Sequence, residues 1–204
     1  MNNKIIPSSQ LMDETSLFQL YLLSYKFPYS KFNYATTVIC FILSVIFLSY
    51  NNNSYKVFIK TLEFGAAIVP SILGFLIAGF TVFVTITKPG VFSLMAKKQF
   101  ENTGQSYLKH NLSAFILAFV HYLAYLSIVF LIKIFIVDNL YISKILILLK
   151  NECINYENII KIIVTSFFIS WTWYLIMLLK SFIYNVYQIV VTSVRWELEN
   201  EKKQ

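Results

Sequence analysis

Four long runs of apolar residues alternate with short polar segments along this chain. The runs cover residues 34–50, 66–87, 112–137 and 161–180, and none of them contains an aspartate or a glutamate. A helix needs about 20 mostly apolar residues to cross the hydrocarbon core of a bilayer. The pattern therefore predicts an all-α fold, an integral membrane four-helix bundle.

Residues that end helices separate these runs. An Asn-rich turn follows the first run, and Pro89 and Gly90 follow the second, where proline removes a backbone donor and glycine permits a reversal. Lys161 and Lys180 bracket the fourth run. Apolar positions keep helical spacing beyond Lys180 as far as Val194, which predicts an extended fourth helix that projects out of the membrane.

A shorter amphipathic pattern precedes the first run. Asp13 and Glu14 would lie in the first turn of this helix, where acidic side chains are favourable, and Pro28 follows it. The apolar residues that can share one side are Leu11, Met12, Leu17, Phe18, Leu20, Tyr21 and Leu22. The pattern predicts an N-terminal amphipathic helix that lies in the membrane interface or docks on the bundle.

The composition leaves no room for a separate soluble domain. Only 13% of the 204 residues are charged, whereas soluble domains carry about 25%. The segments outside the runs are too short to bury a core alone. We therefore expect residues 1–33 to be a polar tail with the amphipathic helix, residues 34–190 the membrane domain, and residues 191–204 a charged tail.

The second run contains a ladder of small side chains. Its members follow one another at spacings of four, three, four, three and four: Ala67, Ser71, Gly74, Ala78, Thr81 and Thr85. Small residues at heptad spacing let two helix backbones approach closely in lipid, where packing of Leu against Leu gains little. Three interpretations remain open, namely packing within one protomer, a seam between protomers, and the lining of a pore.

The distribution of basic residues predicts the orientation of the chain. Four spans place both termini on one side of the membrane, and that side would hold eleven of the basic residues. They are Lys4, Lys26, Lys31, Lys88, Lys97, Lys98, Lys109, Lys180, Arg195, Lys202 and Lys203. The other side would hold six, so the positive-inside rule predicts that both termini are cytoplasmic.

The sequence offers little to support catalysis. His121 is the one titratable side chain near the middle of a run, and we expect it to be a buried polar residue facing the bundle, with a proton sensor as the alternative. Cys40 and Cys153 are expected to be unpaired thiols. We predict no catalytic residues, no metal site and no cofactor, because no nucleophile–base pair, ligand cluster or phosphate-binding glycine loop is present.

The second run also carries a resemblance to a known family. Residues 72–83 read ILGFLIAGFTVF and residues 88–92 read KPGVF. This segment, with the chain length and the number of spans, resembles the membrane subunit of the Kiwa anti-phage defence system. The resemblance implies a homo-oligomer of the bacterial inner membrane, with a tetramer as one candidate, and a cytoplasmic DNA-binding partner that it recruits or restrains.

Two functions follow as hypotheses. The first is a non-enzymatic membrane sensor or scaffold in antiviral defence, which contacts the bilayer, itself and a cytoplasmic protein but no nucleic acid directly. The residues expected to dock that protein are Lys97, Lys98, Arg195, Glu197, Lys202 and Lys203. The second is a small pore-forming or membrane-depolarising effector, favoured by the Ser and Thr hydroxyls in the ladder.

Overall fold

The computed structural model describes residues 16–24, 30–50, 53–99, 106–137 and 154–201, and helices account for nearly all of them. No named strand occurs in this described part, so the all-α prediction is confirmed. Six α-helices are present in it: α1 (Leu17–Ser24), α2 (Lys31–Tyr50), α3 (Ser54–Ile86), α4 (Pro89–Lys97), α5 (Tyr107–Ile132) and α6 (Ile154–Glu201).

Four of these helices are long and apolar enough to cross a membrane. The candidate spans within them are Lys31–Tyr50, Ser54–Thr85, Tyr107–Phe135 and Asn158–Arg195. This matches the four predicted spans in number and order, and the chain is a multi-pass membrane protein.

Two helices are longer than their apolar runs. α3 begins at Ser54, twelve residues before the predicted span, because Lys56, Lys60 and Glu63 suit a helix although they do not suit a bilayer core. α6 has 48 residues, about 72 Å of helix, whereas the hydrocarbon core is about 30 Å thick. The prediction of an extended fourth helix is therefore confirmed.

The N-terminal helix is shorter than the predicted amphipathic stretch. The Ser16 hydroxyl caps α1 by accepting a hydrogen bond from the Gln19 backbone N–H at 3.2 Å. Its first turn holds no acidic residue. Asp13 and Glu14, expected in that turn, lie outside the described residues, as do Leu11 and Met12. Phe18 and Leu22 are exposed one turn apart and form an apolar edge on α1.

A sharp corner joins α3 to α4. Lys88 is extended, with φ −62° and ψ 146°, and Pro89 occupies the first turn of α4, where its missing N–H costs nothing. The Thr87 hydroxyl donates to the Phe83 carbonyl at 2.8 Å, so this buried side chain is satisfied by its own helix. Proline here starts the next helix as well as ending the previous one.

Backbone pairing closes the segment between α4 and α5. Gln99 and Ser106 form an antiparallel bridge, and the Tyr107 N–H donates to the Lys98 carbonyl at 3.1 Å. The buried Ser106 hydroxyl accepts from the Lys109 N–H at 3.1 Å and so caps α5. α4 is thereby fixed to the start of α5.

The contacts of the chain divide it into two compact units. The first unit contains Met1–Tyr29, Gly74–Val120 and Leu178–Gln204, and the second contains Ser30–Leu73 and His121–Met177.

Aromatic rings from three helices fill the core of the first unit. Phe83 of α3 lies 5.5 Å from Phe115 of α5, and Phe115 lies 5.0 Å from Phe182 of α6, measured between ring centroids. All three are buried. Val91 and Met95 of α4 are buried as well, so the apolar face of this short helix packs on protein. Close packing of these rings supplies dispersion and aromatic contacts between the three helices.

Tyrosines hold α5 against α6 in the second unit. The Tyr122 hydroxyl donates to the Leu175 carbonyl at 2.8 Å, and the Tyr125 and Thr172 hydroxyls are hydrogen-bonded at 2.8 Å. From the first of these hydrogen bonds to the second, the residue number rises by three on α5 and falls by three on α6. The two helices are therefore antiparallel. Both tyrosines are fully buried, and each finds the polar partner that a buried hydroxyl requires.

Gly65 makes room for one of these tyrosines. A Cβ built on Gly65 would overlap the Tyr125 hydroxyl and lie 2.6 Å from Tyr125 Cε1. Only glycine therefore lets the ring reach Thr172 across the surface of α3.

The last turns of α5 differ from the rest. Lys133–Val137 continues it as a π-helical segment, where the third predicted span ends.

Candidate functional site

α3 has two opposed faces with the same repeat. Leu62, Val69, Leu76 and Phe83 recur every seventh residue and are all buried. The ladder runs along the other side of the helix. Each residue turns the helix by about 100°, so Gly74, five positions after Val69, lies on the side away from the buried residues. One face of α3 therefore packs inside the protomer, and the other points away from it.

Every residue of the predicted ladder is exposed on the single chain. In the second unit these are Ala67 and Ser71, and in the first unit Gly74, Ala78, Thr81 and Thr85. No described atom comes within 4 Å of a Cβ built on Gly74. Packing within the described part of one protomer thus does not account for the small side chains.

Larger apolar side chains border the ladder in the first unit. Phe75 and Val82 lie along one side and Ile77 and Val84 along the other, and all four are exposed. Small residues between two larger rows make a shallow groove on the helix surface. A groove of this form admits the side chains of a neighbouring helix.

The threonine hydroxyls of the ladder are satisfied by their own helix. Thr81 donates to the Ile77 carbonyl at 3.0 Å, and Thr85 donates to the Thr81 carbonyl at 2.9 Å. Such back-bonding removes the cost of an unpaired donor in lipid. The face therefore suits contact with another helix and does not require water.

A second polar seam, which the sequence analysis missed, lies between α2 and α6 in the second unit. The Asn33 amide donates to the Met177 carbonyl at 3.3 Å, and the Cys40 thiol and the Ser170 hydroxyl are hydrogen-bonded. Ser44 is buried further along α2. Asn33, Cys40 and Ser44 are spaced seven and four residues apart, which the sequence shows. Their partners on α6 lie more than a hundred positions further along the chain, so the sequence did not reveal the pairing.

Ser166 of α6 stands out among the buried polar residues of the second unit. Its side chain is completely buried, and its hydroxyl has no hydrogen-bond partner among the described residues. Its carbonyl accepts from the Ser170 hydroxyl at 2.7 Å. A small unpaired hydroxyl at a helix contact is consistent with selection for size, since serine allows close approach in a membrane.

His121, predicted to be a buried polar residue, is half-buried in the second unit. Its ring meets the Tyr174 ring edge to face, with centroids 5.1 Å apart. This contact gives His121 a packing role. No metal cluster of three or more His, Cys, Asp or Glu residues occurs in the described part of the chain.

The residues expected to dock a partner are only partly described. Lys97 and Lys98 are exposed at the end of α4, and Arg195 is exposed near the end of α6, all in the first unit. Glu197 lies within α6, while Lys202 and Lys203 fall outside the described residues. Between Gly74 and Val120 the described residues include four lysines and no acidic residue, so this surface is basic.

Comparisons of this chain with protein-family models, with curated proteins and with solved structures find no match.

Proposed function

We propose that this chain is a non-enzymatic membrane scaffold that assembles with copies of itself through the exposed ladder of α3. The observation that supports this most is the exposure of all six ladder residues on the face opposite the buried heptads. Exposed Leu or Ile would interact with lipid as well as with protein. A row of small residues makes fewer contacts with lipid. It makes close contacts only when another helix packs on it.

The basic surface of the first unit supports the second part of the proposal, a cytoplasmic partner. Lys97 and Lys98 project from a helix that is itself fixed by buried Val91 and Met95. A basic surface held on a fixed helix can bind an acidic protein face. The positive-inside bias supports cytoplasmic termini in a bacterial inner membrane.

The resemblance to the Kiwa membrane subunit supports the biological setting. On that basis the scaffold senses events at the membrane during phage attack and recruits or restrains a DNA-binding partner. The segment from Ile72 to Phe92 carries this resemblance together with the chain length and the number of spans.

Pore formation is the second candidate, since three ladder residues carry hydroxyls. The apolar borders of the groove and the back-bonded threonines make it the weaker one, because an ion pathway needs exposed polar groups. A pore would conduct after reconstitution of the purified chain alone, whereas a scaffold would not.

Purification from cells that carry the native locus tests the proposal. The chain, tagged after Gln204, is extracted in a mild detergent, and the mass and components of the complex are determined. A homo-oligomer with a stoichiometric soluble protein supports the scaffold. A homo-oligomer alone that conducts ions in vesicles contradicts it and supports the pore.

A further inference from the structure

The short helix α4 connects two candidate membrane spans and is held at the level where they end. The first of these spans ends at Thr85, and the second begins at Tyr107. The Phe92 ring of α4 packs edge to face on Phe83, two residues before the end of the first span, with centroids 5.6 Å apart. Just past the end of α4, the Lys98 carbonyl accepts a hydrogen bond from the Tyr107 N–H at 3.1 Å. These contacts keep α4 beside the surface of the hydrocarbon core.

Three lysines lie at this level. Lys88 follows the end of the first span by three residues, and Lys109 is the third residue of the second span. Lys98 is joined to the first residue of that span through its backbone. Lys88 and Lys98 are exposed, and Lys109 is half-buried. Because the headgroup layer is about 5–8 Å thick on each side of the core, lysines at this depth extend their ammonium groups among lipid phosphates.

The charge on this side of the spans is strongly one-sided. Residues 86–111 hold four lysines and one acidic residue, Glu101, which lies outside the described residues. The two segments that connect spans on the other side are closer to neutral. Residues 51–65 hold two lysines and one glutamate, and residues 138–161 hold three lysines and three acidic residues. Basic residues next to a membrane attract anionic lipids, so the charge singles out the side that carries α4.

We infer that Lys88, Lys98 and Lys109 bind the phosphate groups of anionic phospholipids beside α4. Lipid phosphates surround an inserted chain at the depth of these three side chains, and the surface has the complementary charge. This inference goes beyond the proposed scaffold and does not depend on self-association. Lys98 is also one of the residues expected to dock a partner protein, whereas Lys88 and Lys109 are not, so these two serve for the test.

The lipids that the chain retains from a mixed bilayer test the inference. The full-length protein is reconstituted in nanodiscs with equal amounts of phosphatidylglycerol and phosphatidylcholine, and native mass spectrometry counts the lipids that stay bound to each protomer. The wild type should retain phosphatidylglycerol over phosphatidylcholine by about threefold or more. Lys88→Gln combined with Lys109→Gln should lower this ratio by about twofold or more, because glutamine keeps a polar side chain but removes the charge.

Lys56→Gln combined with Lys60→Gln is the matched control. Both lysines are exposed near the start of α3, where Glu63 lies one turn from Lys60, and this variant should keep the wild-type ratio. A wild-type ratio close to one would overturn the inference, and so would an equal fall in both double variants. An unchanged ratio in the variant of Lys88 and Lys109 would also overturn it. The purified sample contains no partner protein and the count is made per protomer, so failure here would leave the proposed scaffold untouched.

Discussion

Two glycines of α3 have opposite surroundings, and this makes them a matched pair for mutation. A methyl group on Gly65 would overlap the Tyr125 ring, whereas one on Gly74 would meet nothing among the described residues outside its own helix. We predict that Gly65→Ala lowers the stability of the monomer by about 1–3 kcal/mol, because Tyr125 must move away from Thr172. Gly74→Ala should leave the monomer unchanged or slightly more stable, since alanine is the better helix former. Unfolding in dodecyl sulphate measures both, and equal effects at the two sites would contradict the close contact at Gly65.

His121 is expected to matter for packing and not for proton chemistry. His121→Ala removes its edge contact with Tyr174, and we predict a loss of about 1 kcal/mol in stability with function retained. His121→Phe keeps an aromatic ring there and should restore much of that stability. A function that depends on pH and disappears in both variants would show that the imidazole itself titrates in the working protein.

Helices show which features the sequence could predict and which it could not. The length of the apolar runs alone predicted the spans, but it did not predict the start of α3 at Ser54. Hydropathy marks only the part of a helix that lies in the membrane, whereas backbone hydrogen bonds can extend the helix beyond it. The sequence showed the spacing of the ladder residues, but it did not show whether they face the protomer or point away from it. That depends on which heptad of α3 packs against other helices of the same protomer. The seam of Asn33 and Ser170 depends on contacts between distant segments, which spacing within one helix cannot reveal.

Among the buried polar side chains of the second unit, one should contribute to stability and another should not. Asn33→Ala removes a hydrogen bond between helices, and we predict a loss of about 0.5–1.5 kcal/mol. Ser166→Ala deletes a buried hydroxyl that has no partner in the described structure, so stability should stay the same or rise. Unfolding of the two purified variants compares them, and a clear loss for Ser166→Ala would reveal a hydrogen bond not seen in the single chain.

The α3 ladder should act on assembly and leave the folding of the chain intact. Gly74→Ile places a branched side chain on an exposed surface, where the monomer has space for it. We predict that it separates the protomers, while Gly74→Ala weakens their contact less because its side chain is a single methyl group. Size-exclusion chromatography with light scattering gives the mass of each variant. Wild-type assembly and function in Gly74→Ile would remove the ladder from the proposed interface.

On the scale of the whole molecule, both units expose apolar helix faces that lipid can cover, whereas the ladder of α3 exposes small side chains at heptad spacing. Self-association is thus the central claim, and the recruited partner depends on it.

The most direct measurement is native mass spectrometry of the untreated chain released from lipid nanodiscs. One protomer has a mass of 23.8 kDa. The account predicts a single dominant species at an integral multiple of that mass, two or greater, which Gly74→Ile converts to the monomer. A wild-type protein that remains monomeric at every concentration tested would contradict it.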